Sequence, residues 1–373
     1  MHKFSCLMFV LMAVMGTPVL QAKAINLPTN NQELNQVIST QVVETYEFSG
    51  MALYLNQVSF FAYQQNQLSQ LDGENFESEV ESIEQIIVVG RFNAMIIDIN
   101  RSSLSIRNGQ LNIDDYPAAV NGVSVYHKKE LANLNPAYKS IRYHHLWWPL
   151  AQLSIFFESV LEILGSWVNQ HWGWAIFIFA ALVKIVFIPL SIVTRKVQAQ
   201  VNKIQGVLDP ELKLIKTQFD GEQAHLKIMA AHKKHGVSPF YTMKPLLMTL
   251  IQIPFLIAIF NTLGEMHELK GAGFLWVSDL SLPDRLFSLG FAIPMFGDWF
   301  NLFPFLMTGI TLLTTVKYGD DSLPESLVKN QRRRLYLMAV VFFILFYPFP
   351  AAMVMYWALA NFWQFFISRV FLN

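Results

Sequence analysis

The stretch Trp172–Ile192, WGWAIFIFAALVKIVFIPLSI, decides how this chain is read. Crossing the hydrocarbon core of a bilayer takes about 20 residues of predominantly apolar helix, and this stretch is long and apolar enough. Its one charge is Lys184, roughly 18 Å of helix from Trp172 and roughly 15 Å from Thr194 at about 1.5 Å per residue. A cation at that depth costs at least ~2.5 kcal/mol on insertion scales unless it finds water, a partner or a route to the surface. Phe177, Ala181, Lys184, Ser191 and Arg195 fall on one helical face, a polar stripe from mid-membrane to one end. The competing reading is snorkelling, in which the lysine stem lifts its amine towards the interface.

Working outward, the 373 residues are 53% hydrophobic and 14% charged, with mean hydropathy +0.34. That composition fits a membrane protein carrying a soluble part. The net charge is zero, so bulk charge names no partner. Residues 1–24 read as a secretory signal: His2 and Lys3, an apolar core from Phe4 to Met15, breakers at Gly16 and Pro18, and a small-x-small site at Ala22-Lys23-Ala24. Cleavage after Ala24 is expected, with an uncleaved anchor as the alternative. The single cysteine, Cys6, lies inside this segment, so the mature chain is expected to have neither disulfides nor thiol chemistry.

Residues 25–145 carry seven basic against thirteen acidic side chains. Short runs of β-favouring residues predict strands over Tyr46–Tyr54, Val58–Tyr63, Ile86–Val89, Phe92–Asp98, Leu104–Ile106 and Leu111–Ile113, with turns at Asn108-Gly109 and Asn121-Gly122. A small β-rich domain outside the cytoplasm is expected. It shows no catalytic motif, and His127, His144 and His145 have no metal-ligand spacing and read as surface residues.

Residues 146–170 predict an amphipathic helix. Leu153, Phe156, Phe157, Val160, Leu161 and Leu164 recur at helical spacing, with Gln152, Ser154, Glu158, Glu162 and Ser166 opposite and Trp147, Trp148 and Trp167 at the ends. The pattern is read as too polar for a span and suited to the membrane interface. After the 172–192 span, residues 194–244 hold nine Lys and Arg against four Asp and Glu, broken at Asp220-Gly221 and ended by Gly236 and Pro239. This predicts a helical hairpin, cytoplasmic by its basic excess. Four further spans are predicted at 245–263, 299–316, 335–349 and 351–368. The loop 264–298 has only Lys270 and Arg285 as bases, whereas 317–334 holds Lys317, Lys329, Arg332, Arg333 and Arg334. The expected topology is N-out, five spans and C-in. The fold class expected is therefore an all-α polytopic membrane core of five transmembrane helices, an interfacial helix and a cytoplasmic hairpin, with a small β-rich N-terminal extracytoplasmic domain.

Polar side chains in these spans share a depth. Measured from the cytoplasmic ends, Lys184 lies roughly 15 Å deep and Gln252 roughly 12 Å, with Thr249 one turn above it. Thr308 and Thr311 lie roughly 9 to 13 Å deep, and Asn361 roughly 12 Å, with Gln364 nearer the surface. A lone Asn or Gln in a span is ordinarily interhelical glue. Their common depth predicts a water-accessible cavity open to the cytoplasm, with Lys184 as its fixed charge. Such a cavity would solvate a polar segment of a passing chain and favour acidic guests. The apolar fourth span, beside Ile251, Phe255 and Ile259, would offer a surface to a nascent transmembrane helix.

At these residues the sequence resembles the YidC/Oxa/Alb family of membrane protein insertases. The resemblance covers about residues 146–372 and rests on WGWAIFIFAALVKIVFIPL, PLLMTLIQIPFLIAIF, AGFLWVSDLSLPD and AMVMYWALANFWQFF, in that order with a basic hairpin between the first two. It implies a five-span core, a hydrophilic groove open to cytoplasm and lipid, and an interfacial helix before the first core span. It implies nascent membrane proteins as substrates and membrane lipids, the Sec translocon and the ribosome as partners, in a bacterial inner membrane. It implies neither a cofactor nor nucleic-acid specificity. Lys184 falls where the family has a groove arginine, Gln252 where it has a groove glutamine, and Trp357 where some members have a groove aromatic, with Asn361 in the same motif. A lysine keeps the charge but loses the bidentate fork of arginine. The external domain is shorter than the β-sandwich of many members, a signal replaces their first span, and the C-terminal tail is too short for a basic ribosome-binding extension. These departures fit a second, specialised copy.

Two other classes compete. A transporter or channel would use Lys184 as a substrate or proton site, but no internal repeat divides the spans into two halves. An intramembrane enzyme is disfavoured because the spans carry no HExxH, no GxSxG and no paired carboxylates. His225, His232 and His235 in the hairpin read as a solvated basic face rather than a metal cluster.

Overall fold

The computed structural model describes residues 23–43, 48–78, 83–100, 102–316 and 325–371. The signal segment falls outside these residues except for Lys23 and Ala24. Two compact units emerge: Met1–Glu47 with Leu53–Leu146, and Phe48–Ala52 with Trp147–Asn373.

In the first unit, short β-branched runs form strands β1 Lys23–Ala24, β2 Ser59–Gln64, β3 Gln67–Leu71, β4 Asn75–Ser78, β5 Gln85–Val89, β6 Asn93–Ile99, β7 Leu104–Arg107, β8 Gln110–Ile113 and β9 Val120–His127. They make a six-stranded sheet, ordered β1-β9-β6-β5-β2-β3, and a three-stranded sheet, β4-β7-β8. One core contains Phe60, Ile86, Val88, Met95, Ile97, Ile106 and Leu111, and the other face of the large sheet packs Phe61, Ile87, Ile96, Leu131 and Tyr138.

Several expectations are corrected here. The run expected as a strand over Tyr46–Tyr54 is a 3-10 turn over Gly50–Asn56, with residues 44–47 outside the description. Asn108-Gly109 does turn, both residues having positive φ, but Asn121-Gly122 lies within β9 beside a register shift. Helix α1, Asn31–Ile38, was not expected, although Leu34 and Ile38 recur at helical spacing and are buried. Asn30 caps it by accepting from Glu33 N at 2.8 Å. Asn31 and Asn35 bond both backbone groups of Ile113 and Leu111, so two side-chain amides complete the edge of β8. His144 is half-buried and bonded to Ser59 Oγ at 2.8 Å, and His127 to Asn93 at 3.0 Å, so neither is a plain surface histidine.

The second unit is helical. Between the four-residue α2, Leu131–Leu134, in the first unit and the chain end lie α3 Trp148–Trp167, α4 Trp172–Val186, α5 Ile188–Gln218, α6 Gly221–Lys234, α7 Lys244–Leu250, α8 Ile253–Glu265, α9 Phe303–Val316, α10 Glu325–Phe346 and α11 Ala351–Phe371. Helix α3 packs on α8 and α4, α4 on α11, and α9 between α10 and α11. Prolines set the breaks. Pro189 cannot donate back to the preceding turn, and the run expected to be one straight span bends by 54° between α4 and α5. Pro254 likewise separates α7 from α8 at Ile251-Gln252.

Among the described residues, two helical segments, Trp148–Trp167 and Tyr241–Glu265, are by length and composition long and apolar enough to cross a membrane, or three if the bent pair counts as one span. Helix α3, read above as too polar for a span, is thus long and apolar enough for one. Its burial also differs: Ser154 and Glu158 face inward, while Phe156 is exposed. Ser154 Oγ donates to Ala258 O at 3.2 Å, and Thr262 Oγ1 returns a bond to Ser154 O at 3.0 Å, so polar groups seal the helix contact. The segment expected as a span from Trp299 starts as a helix only at Phe303, because β10 Phe287–Ile293 and β11 Gly297–Phe300 form an antiparallel hairpin before it.

Gly173 admits no side chain. A Cβ there would lie 2.0 Å from Phe274 Cγ, at the root of the ring rather than its mobile end. Gly173→Ala should destabilise the second unit by about 2 kcal/mol, within the usual range for overpacking. Gly309→Ala, where nothing lies within 4 Å, should be neutral or slightly stabilising. Thermal unfolding of both variants in detergent checks the contrast; equal midpoints would sink it.

The hairpin α5–α6 closes on Glu211, which bonds Lys234 Nζ at 3.0 Å and His235 Nε2 at 2.8 Å. His235 and then Lys234 hold its carboxyl below the ordinary range. A lowered acid contributes stability above its unfolded pKa and loses it as pH falls through the folded value. Amide exchange at the end of α6 should therefore rise on acidification below the carboxylate range, and Glu211→Gln should remove that step.

Candidate functional site

Lys184 stands in the last turn of α4, three residues before Phe187, where the helix direction changes. It is half-buried, and Nζ reaches Gln364 Oε1 on α11 at 3.5 Å, a long hydrogen bond. Among the described residues no carboxylate forms an ion pair with it. One turn back along α11, Asn361 Nδ2 donates to Thr311 Oγ1 on α9 at 3.2 Å, and that hydroxyl donates to Met307 O at 2.9 Å. Trp357, Asn361 and Gln364 share one face of α11 by their spacing. Three helices thus bring Lys184, Gln364, Asn361 and Thr311 into one polar line.

The other expected residues are placed differently. Trp357 is half-buried among Phe260, Phe342 and Phe346, with ring centroids 6.0, 5.3 and 5.2 Å away, and forms an aromatic wall. Thr308 bonds within its own helix, to Pro304 O at 2.8 Å. Gln252 is half-buried at the turn between α7 and α8, and no bond joins it to Lys184. Their elements meet through Phe187 and Phe255, 5.0 Å apart. The Thr249 side chain lies outside the described residues.

Sequence reasoning missed two features. Trp363 packs on Phe177 at 5.2 Å, and its Nε1 is buried with no hydrogen-bond partner among the described residues. In a span rich in Phe and Trp its signal is that of packing. Glu158, Glu162 and Glu268 bring carboxylate oxygens within 4.8 Å of one another, a spacing a cation would accept. Glu158 and Glu162 are one turn apart on α3, but Glu268 is distant in sequence.

The second unit is a set of packed apolar helices broken at prolines, with Lys184 and an amide–threonine line among them, the composition of a helical membrane protein. A family model described as "60Kd inner membrane protein" matches residues 163–373. The chain belongs to that family, the family of the YidC/Oxa/Alb proteins. It is 32% identical over 212 residues to "Membrane protein insertase YidC" of Chlorobium phaeovibrioides, covering 55% of this chain and 34% of that protein. It is 34% identical over 207 residues to the protein of the same description from Leptospira interrogans serovar Lai, covering 54% and 31%. The match thus spans about a third of the length of these relatives, and the family model leaves residues 1–162 unmatched.

Proposed function

We propose that this chain is a membrane protein insertase that helps nascent transmembrane segments enter the bilayer without covalent chemistry. The observation that carries the reading is the line Lys184–Gln364 and Asn361–Thr311 within the family's helical core. In this reading the line lies in a hydrophilic groove open to the cytoplasm, which thins the low-dielectric barrier to a short polar segment. Exposed Leu337, Met338, Val340, Val341 and Ile344 on α10 support an apolar path for the incoming helix. The core sits as five spans in a bacterial inner membrane, with α3 at the interface, the first unit outside and α5–α6 in the cytoplasm, next to the ribosome or the Sec translocon. The charge of the connecting loops supports that orientation.

The test is complementation of an insertase-depleted bacterium, scoring insertion of a small client with a short acidic external tail. Restored insertion supports the reading. Stable membrane expression without insertion, together with solute flux in liposomes, would replace it by a transporter using Lys184.

A further inference from the structure

The large sheet of the first unit carries a cavity that the insertase reading does not use. Its floor is a row of side chains in register: Tyr63 on β2 pairs with Gln85 on β5, and Gln85 with Asp98 on β6. The row ends at Gly122 on β9, where a Cβ would lie 3.3 Å from Asp98 Oδ2. The bare glycine leaves the space beside that oxygen clear. Asn135 and Tyr138 form one wall of an open cavity of about 510 Å³. Small-molecule sites span roughly 300–1,000 Å³.

The polar groups are already organised. Tyr138 OH donates to Gln85 Oε1, and Gln85 Nε2 donates to Asp98 Oδ1 at 2.7 Å. Asn135 Nδ2 donates to Tyr63 OH at 2.8 Å, which donates to Asn66 Oδ1 at 2.8 Å. These bonds use the donors of both tyrosine hydroxyls. The lining adds two carboxylates, Asp98 and Glu84, the rings of Tyr63, Tyr126 and Tyr138, and the Ser124 hydroxyl. No Lys or Arg lines it among the described residues. Burial first, and then Tyr63, Asp98 and Glu84 nearby, push the Tyr138 hydroxyl up to about 12. Asp98 is half-buried and Glu84 exposed, neither forms an ion pair among the described residues, and tyrosine faces add cation–π attraction for a bound cation. The acidic excess over residues 25–145, thirteen against seven, steers cations in the same direction.

We propose that this cavity binds an organic cation, an ammonium or guanidinium, carried by a Lys- or Arg-bearing polypeptide or by a free polyamine. The site goes beyond the insertase function and does not rest on it.

The full chain in phosphatidylcholine nanodiscs would be titrated calorimetrically with Ac-Gly-Lys-Gly-Lys-Gly-NH2, the matching glutamate peptide, spermidine and maltose. The lysine peptide should bind, more weakly at high salt. Glu84→Gln with Asp98→Asn should weaken it about tenfold, chiefly through the half-buried Asp98. Ser124→Phe, which fills the cavity and leaves both carboxylates, should do the same. Asp72→Asn with Glu74→Gln, outside the cavity, should not. Far-UV circular dichroism and amide exchange in β5 and β6 confirm that each variant folds. Spermidine that displaces the peptide assigns the site to polyamines as well, and spermidine that does not assigns it to peptide side chains. Equal binding of the glutamate peptide, displacement by maltose, no binding of either cation, or affinity unchanged in both cavity variants would overturn the proposal.

Discussion

Replacing Lys184 by methionine should slow insertion of clients with acidic external segments roughly 30-fold while making the helical core more stable. The two effects have one cause. The ammonium stands within an apolar helix with only a long bond to Gln364 and no carboxylate partner among the described residues. Its presence costs at least ~2.5 kcal/mol on insertion scales, which Lys184→Met recovers. An acidic guest about 6 Å away, at an effective dielectric near 20, gains about 2 to 3 kcal/mol from the charge. Losing the lower figure slows transfer roughly 30-fold. Lys184→Arg keeps the charge and should retain activity, Lys184→Ala should behave as Met does in function, and clients with neutral tails should respond weakly to all three. The measurement is protease protection of acidic-tail and neutral-tail clients in inverted vesicles, with thermal unfolding of each variant alongside. Equal insertion by Lys, Arg, Met and Ala would remove the electrostatic role of Lys184. Loss of insertion together with loss of stability would make the residue structural.

What the sequence made legible follows from which interactions are local. The basic hairpin broken at Asp220-Gly221 is readable because charge and turn chemistry are local, and α5 and α6 do flank that pair. Pro189 and Pro254 were visible, but whether a proline bends a span or merely begins a helix depends on its packing. The bend at Phe187 therefore appears only in three dimensions. Helix rise converts sequence into distance and sets Lys184 nearest Asn361 in depth, yet Lys184 Nζ meets Gln364, one turn nearer the surface. Depth says nothing of azimuth, so it could not separate Asn361, bonded to Thr311, from Thr308, which bonds its own helix. The α3 faces were reversed in part for a related reason: Ser154 and Glu158 look solvent-facing by polarity, yet Ser154 finds Ala258 and Thr262 on α8. In the first unit, α1 has local signals in the Asn30 cap and in Leu34 and Ile38, but its docking through Asn31 and Asn35 on the backbone of β8, roughly eighty residues away, has none.

Asp284→Ala should destabilise the helical unit by roughly 3–5 kcal/mol, the cost of leaving several buried donors without their charged acceptor. Asp284 ends the motif AGFLWVSDLSLPD and is almost fully buried. Its Oδ2 accepts from Leu302 N and Phe303 N, both at 2.7 Å, and from Trp276 Nε1 at 3.2 Å. A side chain from a remote loop thus caps the first turn of α9, which carries Thr311. The cap continues through Asn301, whose Nδ2 donates to Tyr347 O at 2.9 Å and whose Oδ1 accepts from Arg285 N at 3.0 Å. The start of α9 and the end of α10 are therefore fastened together by one polar knot. Burial pushes the Asp284 carboxyl up, although the Phe303, Trp276 and Leu302 donors pull it back. A raised acid contributes most below its unfolded pKa and loses that contribution as pH rises through the folded value. Asp284→Asn, which copies the neutral form and keeps one acceptor oxygen, should cost only about 1–2 kcal/mol. Asp279→Ala removes a single local bond, to Ser281 N at 2.8 Å, and should cost about 1 kcal/mol. Thermal unfolding in detergent ranks the three variants, and insertion assayed on the folded fraction separates stability from function. An alanine variant as stable as the asparagine one would mean that water satisfies the start of α9 and that Asp284 does not hold it. If the ranking holds, that motif is an anchor for α9, and its loss should disorder the Thr311 side of the polar line before it touches Lys184.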